Sequence, residues 1–539
     1  MTDFSSTPSL SEEYDFIIIG GGTAGLTTAS RLSESPHFSV LVLEAGADRS
    51  DDPLVLTPGL AGRLYDNEQY DWEFKTVPQV CYRFLSKLGS IFRAVEGNRG
   101  HLILFFWGLI KLENQKELRG RRVFHPRGKV LGGSSAIYQN KITYNSPGGW
   151  DAWSALGNPS WNWKSMQPYL RKFHTFHPPS ATAKSKILDY SNVDEVLDGD
   201  DGPIQTGFSD EGSWSDVEIG FYKTFKTIKA ELSWNETMGG SASPSSIDPK
   251  TKTRSFSVTG YLSPEVRKRG NLKVVTEALV QRIIFDKRSS NTTVNGVQFS
   301  LPSGEEMTIK AKKEVILSAG AFHSPAILEL SGIGSPKILE KYGIDVIIDN
   351  PNVGENLQDH AMCAISFEAA DGVKTADAMF RDPSIFPALL EMYQKDRSGP
   401  LGAFFSVSSY TPSSLFDSSA SDELAAILSA SPKDPQNEDL EKELINLFKS
   451  KDGAACHNFL AKTQFHVAEA ETISEIRGSD ALSKEKNFIT IFSSQNHPFS
   501  KGNVHITSAS AKDKPAVDPK YLSHPLDMEM MARNVQFLQ

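Results

Sequence analysis

Three glycines and one acid carry the clearest chemistry in this chain. Gly20, Gly22 and Gly25 are spaced G-x-G-x-x-G, and Glu44 follows about 20 residues after the last of them. Glycines in this pattern suit a pyrophosphate: the first permits a tight turn, the second admits the phosphates to the backbone, and the third lets a helix pack close to a strand. Thr23 and Ala24 then open the helix, whose free N–H groups and partial positive charge favour an anion. An acid at the position of Glu44, followed by Ala45, suits hydrogen bonds to ribose hydroxyls. The pattern specifies a dinucleotide and does not separate FAD from NAD.

Such a turn works only between a strand and a helix. Tyr14-Asp15-Phe16-Ile17-Ile18-Ile19 reads as the strand, residues 23–32 as the helix, and Val40-Leu41-Val42-Leu43 as a second strand ending at Glu44. A second glycine-rich turn, Gly128-Lys129-Val130-Leu131-Gly132-Gly133-Ser134, is expected to lead into a helix. Leu272–Asp286 reads as two paired strands and Glu314–Ser318 as a buried one. Ile489–Phe492 and Val504–Ile506 read as strands of a second, mostly antiparallel sheet.

Bulk properties narrow the partners. The chain has 539 residues, too many for one usual core, and a formal net charge of −10, which argues against nucleic acid or an anionic membrane as partner. Cys81, Cys363 and Cys456 are too few and scattered for a disulfide framework or a metal cluster. No metal site is expected. Residues 1–13 lack a basic and an apolar signal region, so a cytoplasmic location is expected. The sequons at Asn235 and Asn291 mean little without secretion. The longest apolar run, residues 102–110, is too short to span a membrane. Among the histidines, His174, His177, His457, His466 and His497 pair with no acid at metal-ligand spacing. His174 and His177 read as surface structure.

Four separated stretches resemble the glucose–methanol–choline (GMC) oxidoreductase family, fungal type: "GKVLGGSSAI" (128–137), "GAFHSPAILELSGIG" (320–334), "VGENLQDH" (353–360) and "DPKYLSHPLDMEMMAR" (518–533). The resemblance covers nearly the whole chain and implies an α/β (α+β overall) fold. A Rossmann-like FAD-binding domain would be interleaved with a mostly antiparallel-sheet substrate domain. Residues 14–335 would form mainly the first, 336–515 mainly the second, and 516–539 the start of the return. The implied activity is oxidation of a CH–OH group of a small-molecule alcohol, with hydride passing to flavin N5 and then to oxygen or a quinone, in fungal specialised metabolism. A lyase or cyclase of the same family, or an inactive member, stands as the alternative.

By the same resemblance, Val130 and Ser134 lie along the ribityl–flavin side and Val280 meets adenine through its backbone. Val130 and Val280 also suit a core, and Ser134 a helix cap. The stretch Tyr138-Gln139-Asn140-Lys141 falls near the flavin ring. The family usually has Asn or His at the position of Tyr138, so a covalent link through that His is absent and non-covalent FAD is expected. His497-Pro498 resembles a segment upstream of the catalytic region. The catalytic His and a second His or Asn are expected beyond Gln539, so no residue of this chain is assigned to proton transfer. Residues 80–115 interrupt the family pattern. Arg83, Lys87, Arg93, Arg99 and Lys111 face Glu96 alone there, and removing the segment leaves ordinary family sequence. A translated in-frame intron is the leading reading, a genuine lid or membrane-facing insertion the alternative.

Overall fold

A computed structural model describes residues 10–79, 103–104, 121–181, 199–209, 215–228, 239–286, 292–403, 407–412, 420–431, 438–450, 453–465 and 486–539. The expectations for His466, Cys81, both sequons and all of 80–115 except Ile103 and Leu104 lie outside these residues.

The first six-stranded sheet has the order 279–285, 294–300, 306–317, 13–19, 40–43, 272–275. Its centre is parallel: Ile17 pairs with Leu41 on one side and Val315 on the other. The period of two along a strand divides its side chains between two cores. Ile18, Val40 and Val42 join Leu26 and Ala29 of the helix Thr23–Leu32. Ile17, Ile19, Leu41 and Leu43 join Phe299 and Ile327 on the opposite face. Each fully buried Ile or Leu contributes about 1.5–3 kcal/mol. Burial on both faces is why Ile17–Ile19 and Val40–Leu43 read as unbroken apolar runs.

The second six-stranded sheet is wholly antiparallel. Its order is 103–104, 362–368, 488–495, 456–461, 407–411, 239–242. One face packs on the helix Pro525–Leu538, through Cys363, Ile365, Met528 and Met531. The short strand Ile103–Leu104 pairs with Ser366 and Ile365 at the sheet's edge. This sheet and the first give the mixed α/β architecture expected from the sequence.

Four local expectations are corrected. Leu272–Val275 and Leu279–Phe285 do not pair with each other but occupy opposite edges of the first sheet, one parallel and one antiparallel to its neighbour. The strand containing Glu314–Ser318 begins at Glu306 and is only half-buried along that stretch. The second glycine-rich turn enters a single 3-10 turn, Gly133–Ala136, and not an α-helix, because Gly132 and Gly133 both take positive φ. Val504 lies in a separate three-stranded sheet with Glu355–Leu357 and Ala516–Asp518.

Asp527 fixes the last helix to the second sheet. It is fully buried and accepts from Gln495 Nε2 (2.6 Å), Phe499 N (2.9 Å), Ser500 N (2.7 Å) and Ser500 Oγ (2.5 Å). Removing the carboxylate leaves buried donors unpaired, at about 1–3 kcal/mol for each group left without a partner. We predict that Asp527→Ala lowers the denaturant midpoint by the equivalent of about 3 kcal/mol or more. A loss under about 0.5 kcal/mol, the scale of a surface substitution, contradicts this.

Candidate functional site

The two glycine turns touch. Gly132 N donates to Gly21 O at 2.8 Å, and a Cβ on Gly133 would fall 2.8 Å from Gly22 Cα. Beneath them, Gly25 lies so close to the strand that a Cβ there would sit 1.9 Å from Gly20 O. Gly22 differs: its φ is −82°, and a Cβ would meet nothing nearer than Gly133 Cα at 3.8 Å. The Gly22 position therefore opens into space. The helix that starts at Thr23 has no side-chain cap and no acid in its first turn. Its N-terminal amides are thus left for an anion.

That space is a cavity of about 470 Å³, within the range of cofactor sites. Gly20, Gly22, Thr23, Ala24, Glu44, Ala45, Ser134 and Val280 line it, as do Arg127 and His323. Gly25 and Val130 lie behind the lining. Val130 is fully buried and bridges to Ala47, so it holds the second turn against the end of the second strand. Ser134 Oγ accepts from Gly128 N at 3.2 Å, closing its own loop. Arg127 and His323 were not singled out from the sequence, although both stand inside stretches quoted there. The His323 ring lies 4.3 Å from that of Trp72, inclined at 52°, and burial lowers its pKa to about 4, so it lines the cavity as a neutral ring.

Glu44 is a buried acid with both oxygens in use. Oε2 accepts from Gly21 N at 2.8 Å and Oε1 from Gly46 N at 2.7 Å. It thereby pins the first turn to the chain leaving the second strand. Burial raises its pKa to about 7, and the two amides only partly counter this.

The stretch 138–141 leaves the cavity. Tyr138 N donates to Ser134 O at 3.0 Å, its hydroxyl meets Ser246 Oγ, and its carbonyl accepts from Arg254 Nη1 at 2.6 Å. Gln139 Nε2 donates to Tyr65 Oη at 3.3 Å. Asn140 is fully buried at φ +61°, and both polar atoms of its side chain lack hydrogen-bond partners among the described residues. Lys141 reaches the second sheet, where Nζ meets Ser408 Oγ and His457 Nε2 (2.7 Å). Burial lowers its pKa to about 7.

His174 is not on the surface. It is fully buried, with Tyr144 Oη at 3.0 Å and Thr206 Oγ1 at 2.7 Å, and burial lowers its pKa to about 4. His177 Nε2 meets Gln205 Oε1 at 2.7 Å. Among the described residues no cluster of His, Cys, Asp and Glu is arranged to hold a metal, and no helix is long and apolar enough to cross a membrane.

Comparison with known proteins defines the class. The GMC oxidoreductase family model matches residues 14–362. The chain is 32% identical over 560 residues to the dehydrogenase mpl7 of Monascus purpureus, across 99% of this chain and 81% of that one. It is 28% identical over 543 residues to the versicolorin B synthase stcN of Emericella nidulans, across 96% and 72%. A formate oxidase structure from Aspergillus oryzae, solved to follow modification of its FAD, aligns with TM-score 0.75 at 26% identity, covering 98% of this chain and 81% of that one. The chain belongs to the GMC oxidoreductase family. Its class is FAD-dependent oxidoreductase, and its cofactor is FAD. The residues present fit that group: an uncapped helix start, a glycine position open to the cavity, and an acid where a ribose is expected.

Two predictions follow from this geometry. Gly25→Ala should destabilise the flavin-free protein strongly, because backbone must move, whereas Gly22→Ala should leave its melting temperature nearly unchanged. Equal effects of the two in calorimetry contradict the model of one closed and one open glycine. The second concerns Glu44. Its folded pKa of about 7 exceeds the ordinary 4.5, so between these values the folded state holds a proton that the unfolded state has lost. The contribution is greatest at or below pH 4.5, falls as pH rises to 7, and is level above that. The span is about 3 kcal/mol. Glu44→Gln should remove this slope from the flavin-free protein's stability profile. An unchanged slope contradicts the assignment.

Proposed function

We propose that this chain binds FAD in the cavity between its two glycine turns and oxidises a CH–OH group of a small-molecule alcohol in specialised metabolism. The carrying observation is the Gly22 position, open to a cavity that the uncapped helix start and Glu44 also face. In this reading the amides of Gly22, Thr23 and Ala24 hold the pyrophosphate, with Gly20 and Gly25 shaping the turn beneath. Glu44 and Ala45 meet the adenosine ribose, and Val280, on the edge strand of the first sheet, meets adenine through its backbone. Val130 and Ser134 support the ribityl side, and Tyr138, Gln139 and Asn140 back the flavin end from behind the cavity lining, while Lys141 turns away to the second sheet.

When bound, FAD supplies the two-electron acceptor for the alcohol. The protein's part is to hold and orient it and to exclude water. Arg127, beside the cavity, adds positive charge toward the phosphates. None of the described residues is assigned as the base. Oxygen or a quinone serves as the final acceptor. We read 14–335 as mainly the FAD-binding unit, 336–515 as mainly substrate-binding and 516–539 as the return to the first. The concentration of the second sheet's long strands between 362 and 495 supports this division.

A non-redox reading is kept because one relative that matches over 96% of the chain carries the name synthase and not dehydrogenase or oxidase. Anaerobic single-turnover mixing separates the two. With no base assigned among the described residues, primary and aryl alcohols should bleach the FAD-loaded chain only slowly, about 10²–10⁴-fold below a base-assisted rate. Flavin that stays oxidised with every alcohol contradicts the redox reading. The cofactor site has its own test. Gly22→Val should retain the fold and lose most bound flavin, and Glu44→Ala should weaken FAD binding by about 1.5–3 kcal/mol, the worth of a hydrogen bond to a charged group. Stoichiometric flavin in purified Gly22→Val would show that this turn does not hold the pyrophosphate.

A further inference from the structure

The face of the second sheet opposite the helix Pro525–Leu538 carries an unusual group of side chains. Ser408, Tyr410, His457 and Phe459 point to this face, paired across strands as Tyr410 with His457 and Phe459 with Phe492. Lys141 reaches it from outside the sheet. Its Nζ meets Ser408 Oγ and His457 Nε2 (2.7 Å), and His457 Nε2 lies 3.1 Å from Ser408 Oγ. Three polar tips thus converge on one point. Ser408 is fully buried, whereas Lys141, Tyr410 and His457 are only half-buried, so a ligand reaches the group from the Lys141 side.

The group has a cation and no anion. Among the described residues no carboxylate forms an ion pair with Lys141, and burial is the cause of its lowered pKa. His457 is driven down to about 2, first by burial and then by Lys141 and His360, so it remains neutral. A half-buried ammonium with only a hydroxyl and a neutral imidazole beside it is poorly compensated. An incoming carboxylate would restore the balance with charge-assisted hydrogen bonds. Around the polar tips the surface is aromatic. Tyr410 stacks on His457 at 4.5 Å, Phe459 stacks on Phe492 at 5.0 Å, and Lys141 Nζ lies 5.5 Å from the Phe459 ring centroid. Met362, on the neighbouring strand, is 51% exposed.

We propose that this patch recognises an aromatic carboxylate, with Lys141 Nζ donating to the anionic oxygens, the buried Ser408 Oγ positioning that ammonium, and the Tyr410 and Phe459 rings packing against the aryl body. The proposal rests on the reading that this sheet belongs to the substrate side of an FAD-dependent oxidoreductase, and it makes the substrate an aromatic acid that also carries the alcohol to be oxidised. A neutral aryl alcohol would gain the ring contacts and leave the ammonium uncompensated.

Calorimetric titration of the FAD-loaded full chain with benzoate and with benzyl alcohol tests this. Benzoate should bind roughly tenfold or more tightly than benzyl alcohol, a difference of about 1.4 kcal/mol, and the preference should shrink as salt is raised. Lys141→Met should erase the preference while leaving benzyl alcohol affinity unchanged, and Lys141→Arg should keep most of it. Ser408→Ala should reduce it in a protein whose charge is intact. Equal affinities in the wild-type chain overturn the proposal, as does a folded Lys141→Met protein that still prefers benzoate. Should Lys141→Met lose its melting transition, the Arg and Ser408→Ala variants decide: an unchanged preference in Ser408→Ala, or none in a folded Lys141→Arg, overturns it. Flavin content is read on the same samples. A chain without flavin that prefers benzoate supports the patch and contradicts the cofactor reading, whereas a loaded chain without the preference contradicts the patch alone.

Discussion

The contact between the two glycine turns is the constraint on which the site depends. Gly132 N bonds to Gly21 O, and Gly133 rests on Gly22, leaving no room for a side chain at Gly133. Glu44 then ties Gly21 to Gly46, and Gly46 itself packs on Lys129 of the second turn, where a Cβ would fall 2.1 Å from a carbonyl oxygen. Two loops more than a hundred residues apart in sequence are thereby fixed as one surface. Most amides of the two turns are spent on holding them together, and those at the uncapped helix start remain as donors suited to phosphate.

Buried polar nodes join the remaining family stretches to this surface. Glu329, from the stretch 320–334, is fully buried and holds His505 Nδ1 at 2.7 Å and Ile506 N at 2.8 Å. Tyr521, from 518–533, bonds through its hydroxyl to Asp359 of 353–360 and to His125 Nε2 at 3.1 Å, next to the second turn. Phe322 packs edge-on to both Phe74 and His125. Each node supplies partners for polar groups that would otherwise be costly to bury. The stretches that identify the family are thus neighbours in space, and much of what they do is hold one another.

The lining of the cavity was largely legible in the sequence. Local rules set the strand–turn–helix and the position of Glu44, so Gly20, Gly22, Thr23, Ala24, Glu44 and Ala45 all line one cavity. What local rules do not carry was misread. The strands at 272–275 and 279–285 look like a hairpin because they are close in sequence, yet the first completes the parallel side and the second the antiparallel side. His174 reads as surface structure from the sequence, although Phe173 and Phe176 flank it, and it is buried because Tyr144 and Thr206 satisfy both ring nitrogens. By the family resemblance Lys141 falls near the flavin ring, with residues 138–140. Its side chain is instead directed by partners at Ser408 and His457, which no spacing rule links to it.

The central claim is that the cavity between the glycine turns is built for FAD. The most direct measurement is the melting temperature of the purified, flavin-free chain titrated in parallel with FAD and with NAD. FAD should raise it in a saturable way, with one equivalent of flavin retained after gel filtration. At a free concentration a hundred times Kd, the stabilisation should approach about 2.7 kcal/mol. NAD at the same concentration should leave the transition where it is. Stabilisation by NAD with none by FAD would contradict the account.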